Sequence, residues 1–128
     1  VIKITFLFSL FPAISLEKTY KAKDLSSYLS GVISLNENDY ETSYKFLKNI
    51  NGLEKDHYTF SQIYLYSLIN LNKFTEAFRY STKLEQNQLN NFESDLVVGI
   101  YHLKNKKPFL AKKYLLRNYQ RKSLDPIQ

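Results

Sequence analysis

The stretch GVISLNENDYETSYKFL, residues 31–47, reads as the middle of a helix-turn-helix unit, and the chain carries it three times. Thirty-four residues on stands LYSLINLNKFTEAFRYS (65–81), and thirty-four beyond that GIYHLKNKKPFLAKKYL (99–115). Small residues fall in register at Ser43, Ala77 and Ala111, aliphatic residues at Leu35, Ile69 and Leu103, and aromatic residues at Phe46, Tyr80 and Tyr114. The same step aligns Leu29 with Ile63 and Val97, aligns Val32 with Tyr66 and Ile100, and places Leu65 between Gly31 and Gly99. Inside a unit the apolar positions recur at three and four, as in Leu25, Tyr28, Leu29, Val32 and Leu35, which is the period of an amphipathic helix. A repeated unit of this length cannot bury its apolar face alone and must lie against its neighbours.

Working outward, each unit breaks in its middle, at Asn38-Asp39, at Asn72-Lys73 and at Lys106-Lys107-Pro108, so each holds two helices. We expect helices over 24–36, 40–50, 57–70, 74–87, 92–104 and 108–121. Asn38 with Glu41, and Asn90 with Glu93, have capping-box spacing, in which the cap side chain accepts from the third helical N–H and the glutamate reaches back. Asp24 and Asp56 can cap the first and third helices, Pro108 suits a first turn, and Gly52 suits a left-handed residue at the end of the second helix.

These residues resemble the tetratricopeptide repeat, a helix-turn-helix of this period with a small residue followed four later by a large apolar one. In the first unit Gly31, the turn Asn38-Asp39-Tyr40, Ser43 and Leu47 carry the likeness; in the second it is Asn72-Lys73-Phe74 and Ala77, and in the third Gly99, Pro108, Ala111 and Leu115. The units depart from the family where Ser27, Ser61 and Asp95 replace an aromatic, where Ser81 replaces the large apolar residue, and where Lys55, Leu89 and Ser123 replace a closing proline. The Ser27 to Gly31 opening is also similar to exported alphaproteobacterial tetratricopeptide proteins. The resemblance implies an all-α, right-handed solenoid of three repeats, at about 24–56, 57–91 and 92–123, that acts as a protein-binding scaffold. It further implies a concave groove lined by first helices: Tyr28, Val32 and Asn36, then Gln62, Tyr66 and Asn70, then Ile100 and Lys104.

Composition agrees with one helical domain. The chain has 128 residues, 44% of them hydrophobic, and glycine and proline number three each, too few for the frequent tight turns of an all-β chain. It has no cysteine, which excludes a disulfide framework and thiolate metal sites. The net charge is +6. Lysine far outnumbers arginine, and tyrosine, phenylalanine, isoleucine and asparagine abound, the bias an AT-rich genome imposes; much of the basicity then needs no selection.

Residues 1–15 hold one cation at Lys3, an apolar run from Ile4 to Phe11, then Pro12 and the small residues Ala13 and Ser15. That order is the order of a secretory leader, with cleavage before Leu16, and it points to export, in a bacterium to the periplasm; the rival reading is an N-terminal helix packed on the first repeat. The run is too short to span a bilayer core of about 30 Å. Residues 16–23 then form a linker and 124–128 a tail. Because Leu115, Leu116 and Tyr119 cannot all be covered by the preceding helix, we expect an exposed apolar strip there, open to another subunit or to further chain.

No catalytic set is legible. His57 and His102 stand alone as a capping-region and a packing residue, and Glu54, Asp56, Glu93 and Asp95 sit where the helix dipole favours carboxylates. With no phosphate loop, metal-spaced cluster or cofactor motif, neither an enzyme nor a cofactor or metal is expected. Phe46, Tyr80 and Tyr114 read as core. The sharpest charge feature is a ridge of Lys113, Arg117 and Arg121 on the sixth helix, within a stretch from Lys104 to Lys122 that has no acid. Such a ridge can face anionic lipid or an acidic partner; nucleic acid is the less expected use, since no base-reading side chains accompany it. The alternatives to a peptide-binding groove are thus a structural part of a longer solenoid and a basic surface.

Overall fold

The computed structural model describes residues 22–124; the expected leader at 1–15, most of the expected linker and residues 125–128 lie outside the described residues. Six α-helices follow one another: α1 Ala22–Asn36, α2 Tyr40–Leu47, α3 Tyr58–Asn70, α4 Phe74–Gln86, α5 Phe92–Lys104 and α6 Pro108–Leu124, with a 3₁₀ turn at Leu53–Lys55 ahead of α3. Each helix packs on the next, α1 also touches α3, and α3 also touches α5.

The turns inside the three pairs are built alike. Asn38, Asn72 and Lys106 all take left-handed backbone, at φ 61°, 58° and 56°. At each, the residue that follows donates its N–H to a carbonyl five back: Asp39 to Ser34, Lys73 to Leu68 and Lys107 to His102, all at 2.9 Å. These are Schellman closures, which satisfy the orphan carbonyls at a helix end.

The caps do not stand where the spacing placed them. Asn38 is used up as the left-handed residue, so Asp39 caps α2, its Oδ1 accepting from the Thr42 N–H at 3.0 Å, and Glu41 makes no box. At α5 the capping box is Asn91 with Ser94, each side chain accepting from the other's backbone N–H at 2.8 Å. Asn90 instead reaches Asp95. The cap position of α3 belongs to His57, not Asp56, and Asp24 lies inside the first turn of α1. Helix α2 stops at Leu47, earlier than expected. Gly52, at φ 87°, opens the 3₁₀ turn and donates to the Glu54 carboxylate at 2.9 Å.

The core runs through the middle of the chain, from Leu47 and Leu53 through Phe60, Leu65 and Leu68 to Ala77 and Leu84, all buried. Ser43, Ala77 and Ala111, the small residues in register, are fully buried. They are small because helices meet there: Ser43 and Ser67 share a hydrogen bond at 3.0 Å between α2 and α3. Two close crossings explain the glycines. A Cβ on Gly31 would lie 2.6 Å from Leu47 Cδ2, and one on Gly99 would lie 2.8 Å from Leu115 Cδ2. In the middle pair the corresponding residues are Leu65 and Ser81, both buried, so bulk has moved from one helix to the other.

Aromatic rings tie neighbouring helices together. Tyr64, stacked on Phe60 of its own helix at 6.2 Å, meets Tyr80 of α4 edge-on at 4.9 Å and lies parallel to Tyr44 of α2 at 6.3 Å. Such pairs contribute about 0.5–1.5 kcal/mol beyond their area. Both Tyr44 and Tyr64 donate to Glu76. Burial then raises the Tyr64 phenol well above its usual range, as it pushes Tyr80 up to about 12. Tyr80 and Tyr114 are half-buried, but Phe46 is 39% exposed, a correction to its reading as core. Tyr114 bonds to Glu85 of the preceding pair, whereas Phe46, in the first pair, lies beside a shallow polar depression with Lys23, Asp24 and Ser27.

Candidate functional site

The residues expected to line a groove fall in rows on α1, α3 and α5. Residues four apart share one side of a helix, which brings together Tyr28, Val32 and Asn36 on α1, Gln62, Tyr66 and Asn70 on α3, and Ile100 with Lys104 on α5. Since α1 touches α3 and α3 touches α5, the three rows stand on helices in contact. Leu96 completes the α5 row one turn before Ile100 and is partly exposed; the step from Tyr28 to Gln62 to Leu96 marks it in the sequence, although the expected groove row omits it.

The side chains on this face differ in freedom. Tyr66 and Ile100 are 54% and 52% exposed. The Tyr66 ring meets Tyr40 edge-on at 6.2 Å, and Tyr40 in turn donates to Asn38 at 3.1 Å. Tyr28 is partly buried against Phe60 and His57, with ring centroids 6.1 and 6.4 Å away, so it belongs more to the core than to an open groove. Gln62 donates to Glu93 at 2.7 Å, and Asn70 donates back to the Tyr66 carbonyl at 2.9 Å. Both amides are therefore already engaged within the fold. Val32 is partly buried and Asn36 is exposed.

Beside Ile100 the surface folds into an apolar cleft of about 300 Å³, lined by Ile69, Phe74, Val97, Ile100, Tyr101 and Lys104. Helix α3 supplies Ile69, the first residue of α4 supplies Phe74, and α5 supplies the rest. Lys104 is its one cation, with Nζ 5.7 Å from the Phe74 ring centre, a cation–π placement that keeps the ammonium at the rim over an apolar floor. Ile69, Phe74, Val97 and Tyr101 were not anticipated as lining. Their signal was present, because Ile69 and Val97 hold register positions, but apolar residues at helical spacing read as core.

The basic ridge is not what its spacing suggested. Arg117 turns inward: its Nε donates to Asp95 Oδ2 at 2.7 Å, one terminal nitrogen bonds the other Asp95 oxygen, and Nη1 bonds Glu85 at 3.1 Å. Arg121 pairs with Asp95 at 2.9 Å, and Tyr114 donates to Glu85 at 2.9 Å. Asp95 is buried, so two guanidinium groups neutralise it while joining α4, α5 and α6. Of the three ridge residues only Lys113 faces solvent, its Nζ 5.2 Å from the Tyr114 ring centre.

His102 lies among Phe78, Tyr101 and Tyr114, with centroids 5.7, 6.3 and 5.7 Å away. Burial, aided by Lys107, lowers its pKa. Among the described residues no group of three or more His, Asp or Glu is arranged to hold a metal, and no helix is long and apolar enough to cross a membrane. The chain matches no known family profile, no curated protein and no solved structure.

Proposed function

We propose that this protein is a scaffold that holds a peptide or protein partner in a groove formed by three tetratricopeptide-like helix pairs stacked as a short right-handed solenoid. The observation that carries the reading is the apolar cleft of Ile69, Phe74, Val97, Ile100, Tyr101 and Lys104, with the exposed Tyr66 about one turn before Ile69 on α3. An apolar concavity with one polar rim group is the usual form of a side-chain pocket. The stacking is supported by the recurrent left-handed turn residues and by the α1 to α3 and α3 to α5 contacts.

Because Asn70 and Gln62 are occupied, specificity in this reading rests on side-chain capture in the cleft and on Lys104, with few amide bonds to an extended backbone. A structural role within a longer array is favoured by one observation: Leu25, Leu29 and Ile33 make an exposed apolar stripe on α1, at the positions where Val97 and Tyr101 of α5 receive the preceding pair. Export rests on residues 1–15 alone and is tested by reading the N-terminus of the protein recovered from its native host.

The groove is tested by selecting displayed peptides on the immobilised protein and measuring their affinity in solution. Ile100→Asp and Tyr66→Ser each weaken a selected peptide by at least about tenfold, or 1.4 kcal/mol, with the melting midpoint unchanged. Peptides that bind Ile100→Asp as tightly as the parent, or a failure to select any saturable binder, refute the reading.

A further inference from the structure

The outward face of α6 carries Phe109, Lys112, Lys113, Leu116 and Tyr119, spaced three and four apart. Phe109 is 90% exposed, Tyr119 74% and Leu116 48%. Nothing among the described residues covers them. The helix has no carboxylate, and its two arginines are spent on Asp95 and Glu85, so the charge left facing outward is lysine alone. Neither Lys112 nor Lys113 pairs with a carboxylate among the described residues, and Lys106 and Lys107 in the preceding turn add two more exposed cations.

The register shows what this face is not built for. On α4 the corresponding positions are Phe78, which stacks on Tyr101 at 3.8 Å, and Glu85, which anchors Tyr114 and Arg117. On α6 those positions hold Lys112 and Tyr119. A lysine cannot stack as Phe78 does and a tyrosine cannot neutralise an arginine as Glu85 does, so the face lacks the means by which the second pair receives the third.

We propose that the outer face of α6 docks on an anionic lipid surface, with Phe109, Leu116 and Tyr119 entering the interface and Lys112 and Lys113 pairing with headgroup phosphates. A helix lying in the interface plane presents this combination of protruding apolar and aromatic side chains flanked by lysines, whose long stems let the ammonium groups reach the headgroups. Tyrosine is at home at that depth. Nucleic acid needs no exposed Phe109 or Leu116, and the guanidinium groups best suited to phosphates and bases are held inside the fold. This face is separate from the cleft, and the proposal stands without the groove reading.

The chain has no tryptophan, so Tyr119→Trp provides a single reporter. With unilamellar vesicles of phosphatidylcholine containing about one third phosphatidylglycerol, its emission moves to the blue and the protein co-sediments. With phosphatidylcholine alone, binding is at least about tenfold weaker, since each lysine near an anionic surface contributes about fivefold. In the same background Lys112→Glu with Lys113→Glu, and separately Phe109→Ser, each reduce vesicle binding severalfold while the melting midpoint holds, because these side chains are exposed. An emission unmoved by anionic vesicles overturns the proposal. So does Phe109→Ser binding like its parent, which leaves only diffuse charge. Equal or tighter binding to a DNA oligonucleotide, lost with the lysines and indifferent to Phe109, assigns the face to nucleic acid. Self-association at the assay concentration, abolished by Leu116→Ser, assigns it to a second copy.

Discussion

The exchange of bulk between Leu65 and Ser81 makes a demand that can be measured. In the first and third pairs a glycine on the first helix admits a leucine from the second, so closely that a Cβ on the glycine would stand only 2.6 and 2.8 Å from that leucine. In the middle pair the leucine is on the first helix and the small residue on the second, both fully buried, and Ser81 Oγ makes no hydrogen bond among the described residues. Ser81→Leu alone sets two leucines against each other and costs about 1–3 kcal/mol or more by overpacking. Leu65→Gly alone removes a buried side chain, about 2–5 kcal/mol, and adds a mid-helix glycine, about 1 kcal/mol. Together they rebuild the glycine and leucine pair of the neighbouring units. The glycine penalty remains, and removal of an unpaired buried hydroxyl offsets about 1 kcal/mol of it. We expect the double variant within about 1 kcal/mol of the parent and at least about 3 kcal/mol better than the sum of the single changes. Urea unfolding followed by circular dichroism gives all four free energies; where Leu65→Gly alone does not fold, recovery of a cooperative transition in the double variant is the readout. Effects that add within about 0.5 kcal/mol mean that the two residues do not face each other and that the register is wrong.

Three further outcomes are expected. Asp95→Ala leaves Arg117 and Arg121 without their shared carboxylate; as both are about a third exposed, the loss is about 2–4 kcal/mol, and a change under about 0.5 kcal/mol would remove the network from any account of stability. Lys106→Gly relieves a left-handed lysine at φ 56° and raises stability by about 0.5–1 kcal/mol, seen as a higher melting midpoint; a lower one refutes the strain. His102 has its ordinary value of 6.5 lowered, by burial first and then by Lys107, against a smaller upward pull from Glu85. The neutral ring is therefore the folded one: its contribution is complete above pH 6.5 and is lost as pH falls toward the lowered value. His102→Gln should flatten the stability profile on that acid side, and curves that stay parallel there would falsify the assignment.

The helices were legible because their apolar positions keep one period through three units, and each helix begins or ends where the spacing says. The caps were not, by one residue each at α2, α3 and α5, because either of two adjacent polar residues can cap and only the backbone decides between them; at α2 it is Asn38 that turns left-handed. Two departures from the repeat pattern, Leu65 and Ser81, were visible singly; their meaning lies in being opposite each other. Asp95 was read as a lost aromatic and a dipole partner, and the arginines as a ridge, because one-dimensional spacing along α6 says nothing of a carboxylate 22 residues away. The groove rows rest on the resemblance alone, and the engagement of Gln62 and Asn70 depends on Glu93 and on the helix's own carbonyls, contacts no register predicts. Ile69 holds an aliphatic register position and Phe74 a turn position, and neither placement shows that the two stand open beside Ile100.

Among the described residues, no contact joins α1 or α2 to α5 or α6. Every packing interaction therefore closes a short loop of chain, which lowers the entropy to be overcome before contacts form and makes assembly fast. The same wiring gives unfolding a direction. The first pair can detach without disturbing the carboxylate and guanidinium lock on the far side of α4, so amide exchange should be quickest in α1 and slowest where α4, α5 and α6 are tied by Asp95 and Glu85. A partner that grips α3 and α5 would then draw on the slow end of this gradient, leaving the first pair free to open and close beside an occupied cleft.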